Sequence, residues 1–159
     1  MGAILIVRTS EEGDKRWFYG GGLHVWKART DETDGALFAF EDRLERGKLT
    51  PLHCHPDADE TLYVVDGEIE VVVGDTRRQL SAGGFTFTPR SVEHALCVIS
   101  PTATVLTIHT PGTGEAFYFD ASEPTNQTSG VGPVDYARVG QAAKTTGATA
   151  ILGPPPFET

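Results

Sequence analysis

The stretch Pro51-Leu-His-Cys-His-Pro-Asp-Ala-Asp-Glu60 gathers two imidazoles and a carboxylate around one turn of chain. In a strand, residues i and i+2 share a face, so His53 and His55 point one way while Cys54 points the other. Pro56 ends that strand, Asp57 to Asp59 bring the chain back beside itself, and Glu60 opens the next strand. Two imidazoles and a carboxylate brought together can meet one divalent metal, and a third imidazole would complete the set. His94 is placed to supply it, because it opens a strand after a Gly-Gly turn and Pro89. These donors suit Fe, Mn, Ni, Co or Zn without choosing among them. The expected cofactor is one divalent transition metal per chain.

The elements that must hold these residues read as short strands from Ala3 to about Phe119. Ala3–Arg8, Leu23–Lys27 and Ala36–Glu41 are rich in β-branched and aromatic residues, and Glu60–Val65, Glu68–Val73, Phe85–Thr88, His94–Ile99 and Thr104–His109 continue in the same style. Nearly every gap contains Gly, Pro, Asp or Ser, and Asp66-Gly67 is a dipeptide favoured in tight hairpins. Many short strands with close turns predict an all-β sandwich or small barrel. The Gly20–Gly22 run reads as a loop and matches no phosphate-binding pattern.

After Phe119 the composition changes. Ser122 to Gly132 reads as a surface linker, and Pro133 to Thr146 as a helix with Pro133 at its first position. Tyr136, Val139 and Ala143 recur on one face, and Gly147 is the stop signal. Three consecutive prolines exclude helix from Ile151 to Phe157, so this end reads as an extended tail. The expected organisation is a barrel with N-terminal strands over residues 1–120, then a linker, helix and Pro-rich tail packed on it over 121–159.

Strand parity suggests what else lines the pocket. If Glu60 points inward, so do Leu62 and Val64; if His94 does, so do Leu96 and Val98. Phe38 or Phe40, Phe85 or Phe87, and Leu106 or Ile108 are further candidates whose direction parity leaves open. An apolar cavity around a metal suits an aromatic or otherwise hydrophobic substrate offering one or two oxygen atoms. His24 and His109 fall outside the ligand positions and read as structural. Cys54 and Cys97 make no disulfide framework and read as reduced thiols.

The spacing is specific: Gly47, five residues, His53-x-His55, four residues, Glu60, six residues, Gly67; then Gly83, five residues, Pro89, Ser91 and His94. This resembles the two sequence blocks of the cupin superfamily. The resemblance implies a double-stranded β-helix, the jelly-roll barrel, holding its metal inside through His53, His55, Glu60 and His94. Ser91 stands where the family usually has Gly, and Val98 where many members have Asn. The second departure argues against the oxalate-degrading branch. His109-Thr-Pro-Gly-Thr-Gly-Glu-Ala-Phe-Tyr-Phe119, the helix and Leu152-Gly-Pro-Pro-Pro156 look like the extension of single-domain cupins similar to quercetin 2,3-dioxygenase.

That resemblance implies a metal-dependent dioxygenase acting with O₂ on an aromatic or enolisable, flavonol-like small molecule, with Glu60 as both ligand and proton acceptor. The alternatives are a non-oxidative isomerase or cyclase using the metal as a Lewis acid, or a non-catalytic small-molecule-binding cupin. The chain has 159 residues, and 13 Lys plus Arg against 22 Asp plus Glu give a net charge of −9, which repels phosphate backbones and anionic membranes. Neither nucleic acid nor membrane is an expected partner. The longest apolar run near the start, Ala3 to Val7, is too short for a signal h-region, so a cytoplasmic protein is expected. The same run, apolar on both faces and followed by Trp17, Phe18 and Tyr19, predicts a homodimer paired through N-terminal strands.

Overall fold

The computed structural model describes residues 2–18, 22–125 and 133–158. Tyr19, Gly20, Gly21 and the 126–132 part of the expected linker lie outside the described residues. Two antiparallel sheets face each other. The larger takes β1 (Lys15–Phe18), β2 (Gly22–Ala28), β3 (Phe38–Glu45), β5 (Asp59–Asp66), β8 (Phe85–Thr88), β10 (Thr102–Thr110) and β11 (Glu123–Pro124), in the order β11-β1-β2-β3-β10-β5-β8. The smaller takes β4 (Leu52–Cys54), β6 (Glu68–Val73), β7 (Thr76–Ser81), β9 (His94–Val98) and β12 (Ala150–Gly153), in the order β12-β4-β9-β6-β7. This is the all-β jelly-roll sandwich expected from the run of short strands.

Alternation along these strands sorts side chains into an inner and an outer layer. Phe38, Phe40 and Leu44 on β3, Leu62 and Val64 on β5, and Ile69 and Val71 on β6 are buried between the sheets. Leu44, Val64, Ile69, Val98 and Val105 close one end of the barrel as an apolar plug. Trp26, Phe38, Phe40, Phe117 and Tyr118 form a second cluster, against which Val139, Ala142 and Ala143 pack. The turn glycines follow from backbone geometry. Gly67 has φ +80°, and a Cβ there would lie 2.3 Å from the Thr102 carbonyl oxygen, so only glycine fits the β5–β6 turn.

Three elements differ from the sequence expectation. Ala3–Arg8 joins no ladder among the described residues; Ile4 N donates to Glu32 O at 2.9 Å, and Leu5 and Val7 are exposed. A stretch apolar on both faces needs a layer on each side to be held as a buried strand, and this one has no such pair of layers. A short helix, α1 (Glu115–Asp120), occupies aromatic sequence that had no readable helical period; its Glu115 is tied to Arg29 Nε at 2.5 Å. In α2 (Tyr136–Thr146), Asp135 rather than a residue before Pro133 is the cap, its carboxylate accepting from Arg138 N at 3.0 Å. Pro133 therefore precedes the helix, while Gly147 ends it in the left-handed conformation with φ 65° as expected.

The segment after residue 120 does more than cover the barrel. β11 pairs with β1 in one sheet, and β12 pairs with β4 in the other, placing Ile151 opposite His53 and Ala150 opposite Cys54. Cys54 and Cys97 are free thiols. No helix among the described residues is long and apolar enough to cross a membrane.

Candidate metal centre and its cavity

His53 on β4 stands opposite His94 on β9, and Glu60 on β5 stands opposite His109 on β10, so facing strands carry the site from both sheets. Ring nitrogens of His53, His55 and His94 all lie within 4.8 Å of one another, as do the donor atoms of His55, Glu60 and His109. His55, Glu60, His94 and His109 are buried.

Hydrogen bonds on the far side of each ring set its aim. His53 Nδ1 lies 2.7 Å from the Pro51 carbonyl oxygen and His94 Nδ1 lies 2.9 Å from the Val92 carbonyl oxygen. A carbonyl can only accept, so Nδ1 carries the proton in both rings and Nε2 presents a lone pair. His55 Nδ1 meets Thr149 Oγ1 at 3.1 Å, which allows the same tautomer. Outer hydrogen bonds of this kind orient metal-ligating imidazoles.

The lone pairs then face a carboxylate. His94 Nε2 lies 3.3 Å from Glu60 Oε1 without a hydrogen-bond geometry, and is a buried nitrogen with no hydrogen-bond partner among the described residues. His55 Nε2 lies 3.1 Å from Glu60 Oε2. Lone pairs packed this closely in a dry site call for a cation among them. A proton answers part of that demand: burial would lower His94, yet the Glu60 carboxylate holds it above its ordinary value. Burial also pushes His53 down to about 3, keeping it a neutral donor. Burial would raise Glu60, but His94, His109 and His55 hold it well below the usual carboxylate range. The donor set fits a divalent transition metal held by His53, His55, Glu60 and His94.

His109, expected to be structural, touches Glu60 directly: its Nε2 lies 2.8 Å from Oε2 and 3.2 Å from the Tyr118 hydroxyl. Nδ1 of His109 is buried without a hydrogen-bond partner among the described residues, so the ring proton belongs on Nε2, where it is donated to the carboxylate. Parity along β10 carried this signal, since Val105, Thr107 and His109 share one face. Thr149 and Tyr118 lie in segments without a strand pattern and left no such signal.

A cavity runs from this cluster between the sheets. Of the pocket residues expected from sequence, Phe40, Leu62 and Leu96 line it. Phe38 lies fully buried behind them, stacked on His109 at 4.6 Å, and Val64 and Val98 belong to the apolar plug. Phe85 and Phe87 point to the outer face and are more than half exposed, because Thr86 and Thr88 take the inner positions of β8. Leu106 and Ile108 likewise alternate away from the cavity, which Thr107 lines instead. His24, Asp42 and Lys48 also line the wall, unforeseen from sequence.

Residues 40–110 match the family model described as Cupin domain. The chain is similar to quercetin 2,3-dioxygenase of Bacillus subtilis (strain 168), 28% identical over 123 residues, covering 77% of this chain and 36% of that protein. It thus spans about a third of that relative's length. Among solved structures it is similar to KdgF from Halomonas sp., with TM-score 0.60 and 25% identity over 68% of this chain and 94% of that one. An RmlC-like cupin from Shewanella frigidimarina shares the fold, with TM-score 0.62 and 21% identity over 70% of this chain and 96% of that one. Ligand spacing, sheet order and these matches agree on a cupin domain over residues 40–110 of the chain.

Proposed function

We propose that this protein is a metal-dependent dioxygenase acting on an aromatic or enolisable, flavonol-like small molecule. The observation that carries the reading is a cluster of His53, His55 and His94 with Glu60 set against two of them, opening onto a largely apolar cavity, as hydrophobic substrates require. Similarity to a quercetin 2,3-dioxygenase supports the same class. A bound metal supplies Lewis acidity toward a substrate oxygen. Glu60 takes the enol or phenol proton, and His109 holds Oε2 in place while it does so. Phe40, Leu62 and Leu96 exclude water from the resulting anion. Reaction with O₂ then cleaves a C–C bond of the ring, both oxygen atoms entering the product. We further propose a homodimer formed through the exposed Ala3–Arg8 segment.

Oxygen uptake by metal-loaded protein given a flavonol tests the reading. Uptake that needs both metal and substrate, and that Glu60→Ala abolishes, supports it. Substrate conversion that continues without oxygen would instead place the chemistry among isomerases or cyclases, and binding without conversion would leave a binding protein.

A further inference from the structure

We propose that the cavity has a second polar pole, formed by His24, Asp42 and Lys48, which binds a hydroxyl group of the substrate at the end remote from the metal cluster. The inference rests on the substrate reading above and adds how that substrate is held.

Register places the pole. Glu60, His109 and Phe38 form one cross-strand row, while Val64, Val105 and Asp42 form another. The rows are four residues apart along β10, about 13 Å between backbones, and the side chains converge on Tyr118, whose ring centre lies 5.8 Å from that of His24 and 5.5 Å from that of His109. His24 pairs with Asp42 across β2 and β3, so the two side chains share the inner face. Lys48 reaches the same wall from the loop after β3, with Nζ 3.1 Å from the Phe18 carbonyl oxygen and 4.7 Å from the Phe18 ring centre.

These groups are costly where they stand. His24 is 3% exposed and Lys48 4% exposed. The buried atoms His24 Nδ1 and Asp42 Oδ1 have no hydrogen-bond partner among the described residues. The approach of His24 Nε2 to Asp42 Oδ1, at 3.6 Å, is too long to satisfy either. Burial pushes the Asp42 carboxyl up and the Lys48 ammonium down, the strain of charged groups in a dry wall. The two unsatisfied atoms, on His24 and Asp42 in the wall of one cavity that Lys48 also lines, are the expected form of a recognition site awaiting its ligand.

The mixture of groups selects the ligand chemistry. A carboxylate ligand would meet Asp42 and an ammonium would meet Lys48, each a like-charge contact. A hydroxyl donates to Asp42 and accepts from Lys48 at once. The span between poles then calls for a flat scaffold of linked rings, with metal-directed oxygens at one end and a phenolic hydroxyl at the other.

The test compares two probes, flavonol without further ring hydroxyls and kaempferol, which carries them. Binding to zinc-loaded protein is followed under nitrogen by quenching of tryptophan fluorescence. The expected result is at least about tenfold tighter binding of kaempferol, with most of that preference lost in Asp42→Asn and in Lys48→Met. Zinc content stays unchanged in both variants. Equal affinities in the unmodified protein, binding of neither probe, or a preference that survives both substitutions would overturn the pole. Oxygen uptake is measured separately. Preference without uptake leaves the pole standing and removes the dioxygenase reading, whereas uptake without preference does the reverse. The comparison within the unmodified protein keeps the proposal falsifiable even if a variant fails to fold.

Discussion

Thr149 Oγ1 lies 3.1 Å from His55 Nδ1 across 94 positions of sequence. The hydroxyl is the partner that leaves Nε2 of His55 free for a metal, so Thr149→Val removes an orienting contact without touching a ligand. Loss of such outer contacts weakens metal affinity by roughly 10- to 100-fold. Competition titration with a chromophoric chelator should show a drop in that range. An unchanged affinity would dismiss Thr149 from this role.

His53 and His109 belong to different donor groups, and substitution separates them. His53→Ala should abolish stoichiometric metal retention, measured by elemental analysis after desalting. His109→Gln should retain metal while slowing turnover, because Glu60 Oε2 loses its imidazole donor. His24→Ala should leave metal content at about one per chain. Metal lost from the His109 variant and kept in the His53 variant would reverse the assignment.

Ser91 has φ 67°, a left-handed conformation that side chains disfavour, at the position where cupins usually carry Gly. Its hydroxyl contributes only a marginal 3.5 Å contact to the Pro56 carbonyl oxygen. Ser91→Gly should therefore stabilise the fold by up to about 1 kcal/mol, less the added chain entropy of glycine. Urea unfolding curves check this, and a lower midpoint would contradict it.

Burial, with Lys48 and Arg16 nearby, pushes His24 down to about 3. Between pH 7 and pH 5 the unfolded chain takes up a proton at this ring and the folded chain does not. Stability is therefore lost as pH falls below the ordinary histidine value, by about 2 kcal/mol at pH 5 for this one group. Asp42 acts with the opposite sign: its raised folded value favours protonation in the folded state, so stability is gained as pH falls toward 3.8. His24→Phe, which keeps the stack on Phe40, should expose the Asp42 slope, and Asp42→Asn should expose the His24 slope. Unfolding midpoints at pH 7, 6 and 5 read both, and parallel pH profiles for the two variants would refute the pairing.

For the homodimer, light scattering at micromolar concentration should give twice the 17.1 kDa chain mass. Leu5→Lys combined with Val7→Lys should return it to the chain mass with the circular dichroism spectrum unchanged, since Leu5 is 87% and Val7 83% exposed. A chain-sized mass for the unmodified protein would refute the pairing.

What the sequence disclosed divides along physical lines. His53, His55, Glu60 and His94 lie on or beside short strands where the period of two and the turn residues are visible locally; the structure groups His53 with His55 and His94 and sets Glu60 against His55 and His94. His109 was open to the same parity reasoning but looked like one more strand residue, because its partner Glu60 is 49 positions away. Thr149 and β12 depend on pairing across the whole chain, which no local pattern reports. The Ala3–Arg8 run shows the converse error: apolar composition alone suggested a strand where none of the described strands pairs with it.

The pairing of β12 with β4 also orders events in time. Contacts between segments distant in sequence form after local ones, because their loop-closure entropy must be overcome first. The strand carrying His53 is flanked on one side by β9 and on the other by residues 150–153. A nascent chain can hold all its metal-directed imidazoles and still lack the strand and hydroxyl that aim two of them. High-affinity uptake of a metal would then mark completed folding rather than guide its early stages, and a clip between residues 147 and 149 should weaken metal binding while leaving most of the barrel intact.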